Sequence, residues 1–173
     1  MGSDNFKNSD SNEYILDANA FYVGLPFTTF TKSYTTILVF NEVRHLKGSF
    51  SLLDTLVEAD KLRIVDPDEE SIKEVNRVIR NSGDSSKLSA ADISVLALAY
   101  QLRKTLISDD YAVENTAILL GVSIKPLGTK GIRHVRKWIS YCHTCGRGYG
   151  PNTHQCLICG NRLKRRFKKL YNA

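Results

Sequence analysis

Two sets of residues in this 173-residue chain have types and spacings that do chemistry. The first set is acidic. Asp17 ends a short apolar run, Tyr14-Ile15-Leu16, of the kind that reads as a buried strand. Glu42 shares a helical face with Leu38, Val39 and Leu46. Asp92 stands in the first turn of 89–102, SAADISVLALAYQL, the most apolar helical stretch of the chain. Asp110 follows the apolar run at 105–108 and sits beside Asp109. A carboxylate next to a core is costly unless something offsets its charge. Several together repel and take up protons. A divalent cation reverses that, and oxygen ligands suit Mg2+ or Mn2+.

Each acid also has a purely structural reading. Asp92 fits the N3 partner of Ser89 in a capping box. Asp109 or Asp110 fits the cap of the helix that follows. Glu42 fits a surface position on a helix of different phase, and Asp17 a turn residue. The order of the four, at strand and helix ends, is what favours a shared site.

The second set is sulfur. Cys142 and Cys145, and Cys156 and Cys159, are each spaced C-x-x-C, with ten residues between the pairs. Gly146 and Gly160 follow the second cysteine of each pair, where glycine lets the backbone turn with positive φ. Two such knuckles predict a four-cysteine zinc ribbon. A module of about 25 residues has too small a core to fold alone, so the zinc is expected to be structural. His143 and His154 lie inside this module; His45 and His134 are scattered elsewhere.

The elements that must position these groups alternate. Strands are expected at 14–16, 62–65, 105–108 and 123–126. Helices are expected from 18 to Pro26, which ends the first, and then at 36–47, 50–59, 69–81, 89–102 and 111–120, with Gly121 as a C-cap glycine. Residues 27–34 read as a Thr-rich connection. Helices alternating with short apolar strands predict an α/β domain with a parallel sheet. The expected organisation is a disordered N-terminus at 1–12, a domain at 13–127, a linker at 128–138, the ribbon at 139–163 and a basic tail at 164–173.

Charge divides the chain. Residues 1–129 hold 13 Lys/Arg against 18 Asp/Glu, whereas residues 130–173 hold 11 Lys/Arg and no acid. A basic module of this kind points to a polyanion. Arg133, Arg136, Lys137, Arg147, Arg162, Lys164, Arg165, Arg166, Lys168 and Lys169, interleaved with Trp138, Tyr141, Tyr149, Phe167 and Tyr171, suit RNA backbone contact and base stacking. No run approaches a membrane span, and no secretory signal is evident. A reducing, cytoplasmic location is expected, which disfavours disulfides. There is no Ser-His-Asp or Cys-His order, no P-loop and no GxGxxG.

YILDANAFY, the Glu42 helix, AADISVLALA and TLISDDYAVENTAILLGV resemble the ordered motifs of PIN-domain nucleases. The resemblance implies a PIN-like, Rossmann-like parallel sheet flanked by helices, and metal-dependent phosphodiester hydrolysis. Asp17, Glu42, Asp92 and Asp110 match the family's acids, with Asp17, Asp92 and Asp110 as Mg2+ or Mn2+ ligands. Ser108 takes the family's Thr position, which makes Asp109 accessory. Asn19 and Asn115 fall at motif positions near the acids. A PIN domain followed by a four-cysteine ribbon resembles the Nob-type endonucleases of ribosome maturation. That resemblance implies an endoribonuclease cutting single-stranded precursor rRNA at the 3′ end of the small-subunit rRNA, with the pre-ribosomal small subunit as partner. The rival readings are a PIN-type toxin ribonuclease and a non-catalytic RNA-binding assembly factor.

Overall fold

The computed structural model describes residues 13–29, 31–45, 50–83, 87–128, 131–132 and 134–172, without the side chains of Phe50, Tyr171 and Asn172. The expected disorder at 1–12 and the positions of Leu46 and Arg133 lie outside the described residues.

Five short strands form one parallel sheet: β1 (Tyr14–Leu16), β2 (Ser33–Thr35), β3 (Leu62–Ile64), β4 (Thr105–Ile107) and β5 (Ile124–Lys125), in the order β3-β2-β1-β4-β5. Helices cover the sheet, so its central strands are apolar on both faces. Ile15, Leu16, Leu106 and Ile107 are buried. The predicted parallel α/β architecture is therefore present. β2 falls inside the stretch expected to be a connection. Its polar side chains are absorbed locally: Ser33 and Thr35 are buried, and the Thr35 hydroxyl donates to the Leu16 carbonyl at 3.0 Å.

The winding order reverses between β1 and β4, which are neighbours in the sheet. The Asp17 N–H donates to the Ile107 carbonyl at 3.2 Å, tying the carboxyl ends of these two strands together. Open α/β sheets bind ligands at such a switch point.

The helices are α1 (Ala18–Tyr22), α2 (Leu25–Thr28), α3 (Ile37–Arg44), α4 (Phe50–Glu58), α5 (Glu69–Ser82), α6 (Ala90–Leu102) and α7 (Tyr111–Leu120). Pro26 does not end the first helix as expected. Gly24 in the left-handed region ends it, and Pro26 sits in the first turn of α2, where its missing N–H costs nothing. The buried face of α3 is Val39, Phe40 and Val43. Leu38 and Glu42 are exposed, so the apolar face expected around Glu42 is out of phase. α6 is buried on most sides, from Ser94 through Ala99, as its uniformly apolar pattern requires.

The C-terminal part is an antiparallel sheet of β6 (His134–Tyr141), β7 (Gly148–Tyr149) and β8 (Lys164–Asn172), in the order β7-β6-β8. Its long strands reach into the stretches assigned to linker and tail. β6 pairs with β8 from His134–Asn172 to Tyr141–Lys164. Trp138 faces Phe167 across the pair, with ring centroids 5.9 Å apart at 79°, an edge-to-face contact. β6 packs against α5 and α7. Among the described residues no helix is long and apolar enough to cross a membrane.

Gly83 is the point of closest docking. It caps α5 at φ 82°, and an added Cβ would lie 2.6 Å from Pro151 Cβ and 2.8 Å from Trp138 Cβ. The Arg165 guanidinium donates to its carbonyl at 2.6 Å. Gly83→Ala is expected to destabilise the protein by about 1–2 kcal/mol for the left-handed backbone alone, and by more for the clash. Thermal denaturation measures this; an unchanged melting temperature contradicts the docking described.

Candidate active site and metal centre

Asp17 lies at the end of β1, 4% exposed. Its Oδ1 accepts from the Ala18 N–H at 2.7 Å, and its Oδ2 accepts from the Ser108 hydroxyl at 2.6 Å. Ser108 follows β4, and its Oγ also accepts from the Asp110 N–H at 3.1 Å. One hydroxyl therefore links the first acid to the last. Burial pushes the Asp17 pKa above the ordinary carboxylate range. The hydrogen bonds from Ser108 and Ala18 oppose that, and the charges of Asp92 and Asp110 add to it. The switch point thus gathers negative charge around a carboxylate already short of solvent.

The structure realises the capping readings as well. Asp92 and Ser89 form a capping box, with the Ser89 N–H donating to Asp92 Oδ2 at 2.7 Å. Asp110 caps α7 through Oδ1, which accepts from Ala112 and Val113 at 2.6 and 3.2 Å. These caps fix the two carboxylates and engage one oxygen of each, and Asp17 still feels both charges. Glu42 joins from α3: the Tyr22 hydroxyl donates to its Oε1 at 3.1 Å. The Tyr22 pKa is raised by partial burial, then by Glu42, then by the charge of Asp17. Behind them, the Thr36 and Ser94 hydroxyls are 2.7 Å apart, joining the start of α3 to α6. Asn19 is half-buried in α1.

Among the described residues, the four cysteines are the group whose ligand atoms converge closely enough to hold a metal ion. All four Sγ atoms lie within 4.8 Å of one another. Cys142 and Cys159 are separated by 3.4 Å, and Cys145 and Cys156 by 3.5 Å. A metal–sulfur tetrahedron with bonds of ~2.3 Å has edges of ~3.8 Å, whereas a disulfide closes to ~2.05 Å. The geometry suits a four-coordinate metal, and the cysteines are free. Gly146 and Gly160 adopt φ of 72° and 68°, as the knuckle spacing predicts. The Tyr149 hydroxyl lies 3.1 Å from Cys156 Sγ and is the main reason that this thiol is lowered to about 5. The backbone N–H of Cys145 is the main reason that Cys142 is lowered. Cys145, by contrast, is pushed up to about 11, where hydrogen bonds and the charge of neighbouring cysteines oppose its ionisation in the absence of a cation.

The basic residues concentrate on β6 and β8. Lys137 stands opposite Lys168, and Arg136 opposite Lys169. Strand alternation places Lys137, Tyr141, Lys164, Arg166 and Lys168 on one face. Like charges directly opposite one another destabilise a sheet, a cost that a bound polyanion removes. The Arg166 guanidinium lies 4.8 Å from the Tyr141 ring centroid and that of Arg136 4.8 Å from Phe167. Arg165 is committed to Gly83 and to the Trp138 ring at 5.1 Å. Arg147 and Arg162 are exposed in the ribbon.

Glu114 and Tyr22 were not singled out by sequence reasoning. Tyr22 carries a faint signal, an aromatic five residues beyond Asp17. Glu114 carries none, because its partner is a backbone N–H eighteen residues away, at Ile132.

Comparison with known proteins gives the family. A family model described as the PIN domain of ribonuclease matches residues 14–102. The chain is 37% identical over 152 residues to the endoribonuclease Nob1 of Pyrococcus abyssi, covering 87% of this chain and 91% of that protein. It is 37% identical over 158 residues to the endoribonuclease Nob1 of Methanothermobacter thermautotrophicus, covering 88% and 91%. It is also 33% identical over 99 residues to the 20S-pre-rRNA D-site endonuclease NOB1 of Saccharomyces cerevisiae, covering 57% of this chain and 21% of that protein.

Proposed function

Because the chain belongs to the PIN-domain ribonucleases, with the Nob1 endoribonucleases, we propose that it hydrolyses single-stranded precursor rRNA at the 3′ end of the small-subunit rRNA, in a reaction that needs a divalent cation. The observation that carries this reading is the buried Asp17 carboxylate at the switch point, in the field of Asp92 and Asp110. A carboxylate so destabilised is suited to a cation of opposite charge.

Asp17, Asp92 and Asp110 would hold Mg2+ or Mn2+, which supplies Lewis-acid stabilisation of the phosphate and a more acidic water. Ser108 holds Asp17 in one orientation, and the helix caps hold Asp92 and Asp110. Glu42, steadied by the Tyr22 hydroxyl, is placed to orient water or a fourth ligand. The acids are cast as ligands and water-orienting groups rather than as a covalent nucleophile. The four cysteines would hold zinc as a structural ion with no open position. Free cysteines fit a reducing compartment, and we place the activity in the cytoplasm with the pre-ribosomal small subunit.

The site is acidic and RNA is a polyanion, so substrate has to be brought by another surface. β6 and β8 supply it through Lys137, Lys164, Arg166 and Lys168, with Arg136 and Lys169 on the opposite face. If about six cations meet phosphates, log K falls against log salt with a slope of roughly −4 to −5. An Arg166→Ala, Lys168→Ala double variant is expected to flatten that slope by about 1.5, read by filter binding across a salt series. An unaltered slope moves the RNA elsewhere.

The function is tested by incubating the protein with a precursor spanning the small-subunit rRNA 3′ end, in Mn2+ or in EDTA, and mapping the products. One cut at the mature 3′ end, in Mn2+ only, is expected. Cleavage elsewhere, or in EDTA, overturns the proposal.

A further inference from the structure

Three side chains around the start of α7 grip the backbone that leads into the ribbon. Asp109 Oδ1 accepts from the N–H groups of Leu127 and Gly128 at 2.8 and 3.3 Å, and its Oδ2 accepts from Gly128 at 3.2 Å. Glu114, 5% exposed, accepts from the Ile132 N–H through Oε1 at 2.8 Å. Asn115, 6% exposed, makes a two-way bond with Arg136: its Nδ2 donates to the Arg136 carbonyl at 3.0 Å, and its Oδ1 accepts from the Arg136 N–H at 2.7 Å. Gly131, at φ 69°, is where the backbone comes closest, because a Cβ there would lie 2.6 Å from Glu114 Oε1.

These contacts reach main chain at 127–128, at 132 and at 136, so a segment joining two modules is fastened at three places. The helix that fastens it is capped by Asp110. One rigid element therefore carries a candidate acid at its first turn and, one turn on, holds the first strand of the basic sheet. The Asn115 amide is engaged in both directions by β6, which makes it part of the joint between modules. The second Glu114 oxygen is buried with no hydrogen-bond partner. A carboxylate kept there at such a cost needs a reason, and the grip on Ile132 is one.

We infer that Asp109, Glu114 and Asn115 are positioning residues that hold the basic strands at a fixed offset from Asp17 and thereby select which phosphodiester is cut. The inference rests on the proposed function, with Asp17 at the cut and β8 on the RNA. RNA gripped by Arg166 and Lys168 then presents one phosphate to the acids. A loose joint leaves the acids intact but lets neighbouring phosphates slide into place, and it lowers the effective concentration of the tethered strand.

The test uses the full zinc-loaded chain with Mn2+ and two RNAs: the precursor, long enough to reach both modules, and a single-stranded hexanucleotide that reaches only the acids. Asn115→Ala and Glu114→Ala are compared with the unaltered protein. Glu114→Ala also removes a buried unpartnered oxygen, so it keeps the test open if Asn115→Ala fails to fold. The expected result is a KM for the precursor raised ~10-fold and cuts spread over neighbouring positions, with hexanucleotide kcat within about two-fold. The wild-type cut site with the wild-type KM overturns the inference. So does an equal loss on the hexanucleotide by a folded variant, which would mark a role in the chemistry. If the unaltered protein cuts neither RNA, the proposed function itself fails and this inference with it.

Discussion

Asp17→Asn is expected to lower cleavage by ~100-fold or more while raising the melting temperature of the metal-free protein. Both effects have one cause. The Asp17 carboxylate is buried between β1 and β4, and desolvation raises its pKa, with Asp92 and Asp110 adding repulsion. Asparagine keeps the shape and the Oδ1 acceptor for Ala18 but carries no charge. The sign of the pH dependence follows. A folded-state pKa above the unfolded one means that the folded protein binds more protons in that interval, so stability from this group falls as pH rises through it. In EDTA, the advantage of the Asn variant is therefore widest near neutral pH and closes once both states are protonated in acid. Differential scanning calorimetry at several pH values measures the gap, and filter binding should show RNA affinity unchanged. A folded Asn variant that cleaves normally contradicts the assigned site, and one that melts lower at neutral pH contradicts the electrostatic account.

The second large effect is expected on disrupting the sulfur site. Cys156→Ser, or removal of the metal by chelation, is expected to weaken RNA binding about 100-fold while hexanucleotide cleavage survives. Cys156 is buried, and its thiol is lowered to about 5 by Tyr149, so at neutral pH it is a thiolate amid three other sulfurs. Without a cation that charge has no counter-ion within the sulfur group, and the neighbouring Cys145 is pushed up to about 11. The ribbon offers little in return, since Leu157 and Ile158 are exposed at its knuckle. Structural zinc in small modules contributes on the order of 10 kcal/mol, more than such a core supplies. The loss should appear as release of the basic face that β6 and β8 share, read by filter binding beside a hexanucleotide assay. Full affinity after complete metal removal contradicts a structural role.

What could be read in advance was what depends on neighbours in sequence. α7 carries its cap Asp110 and its terminal Gly121 within its own residues, and α6 carries its capping box and an unbroken apolar run. The cysteine knuckles are local in the same sense. β2 was hidden because Ser33 and Thr35 owe their burial to β1 and β3 rather than to their own apolarity. The phase of α3 was misread because Leu38 is apolar yet exposed, while Phe40 turns inward. At the site, the order of the acids was legible, but the linkage through Ser108 and Tyr22 joins residues brought together only by the sheet. The grip of Glu114 and Asn115 on main chain has no sequence signature, because a backbone N–H looks the same at every residue.

A divalent cation at the switch point is the central requirement of the proposed reaction, and crystals soaked in Mn2+ test it most directly. The expected result is an anomalous scattering peak bounded by the carboxylates of Asp17, Asp92 and Asp110, absent in Asp17→Asn. No peak there in fully soaked crystals, or a peak that survives the substitution unchanged, contradicts it.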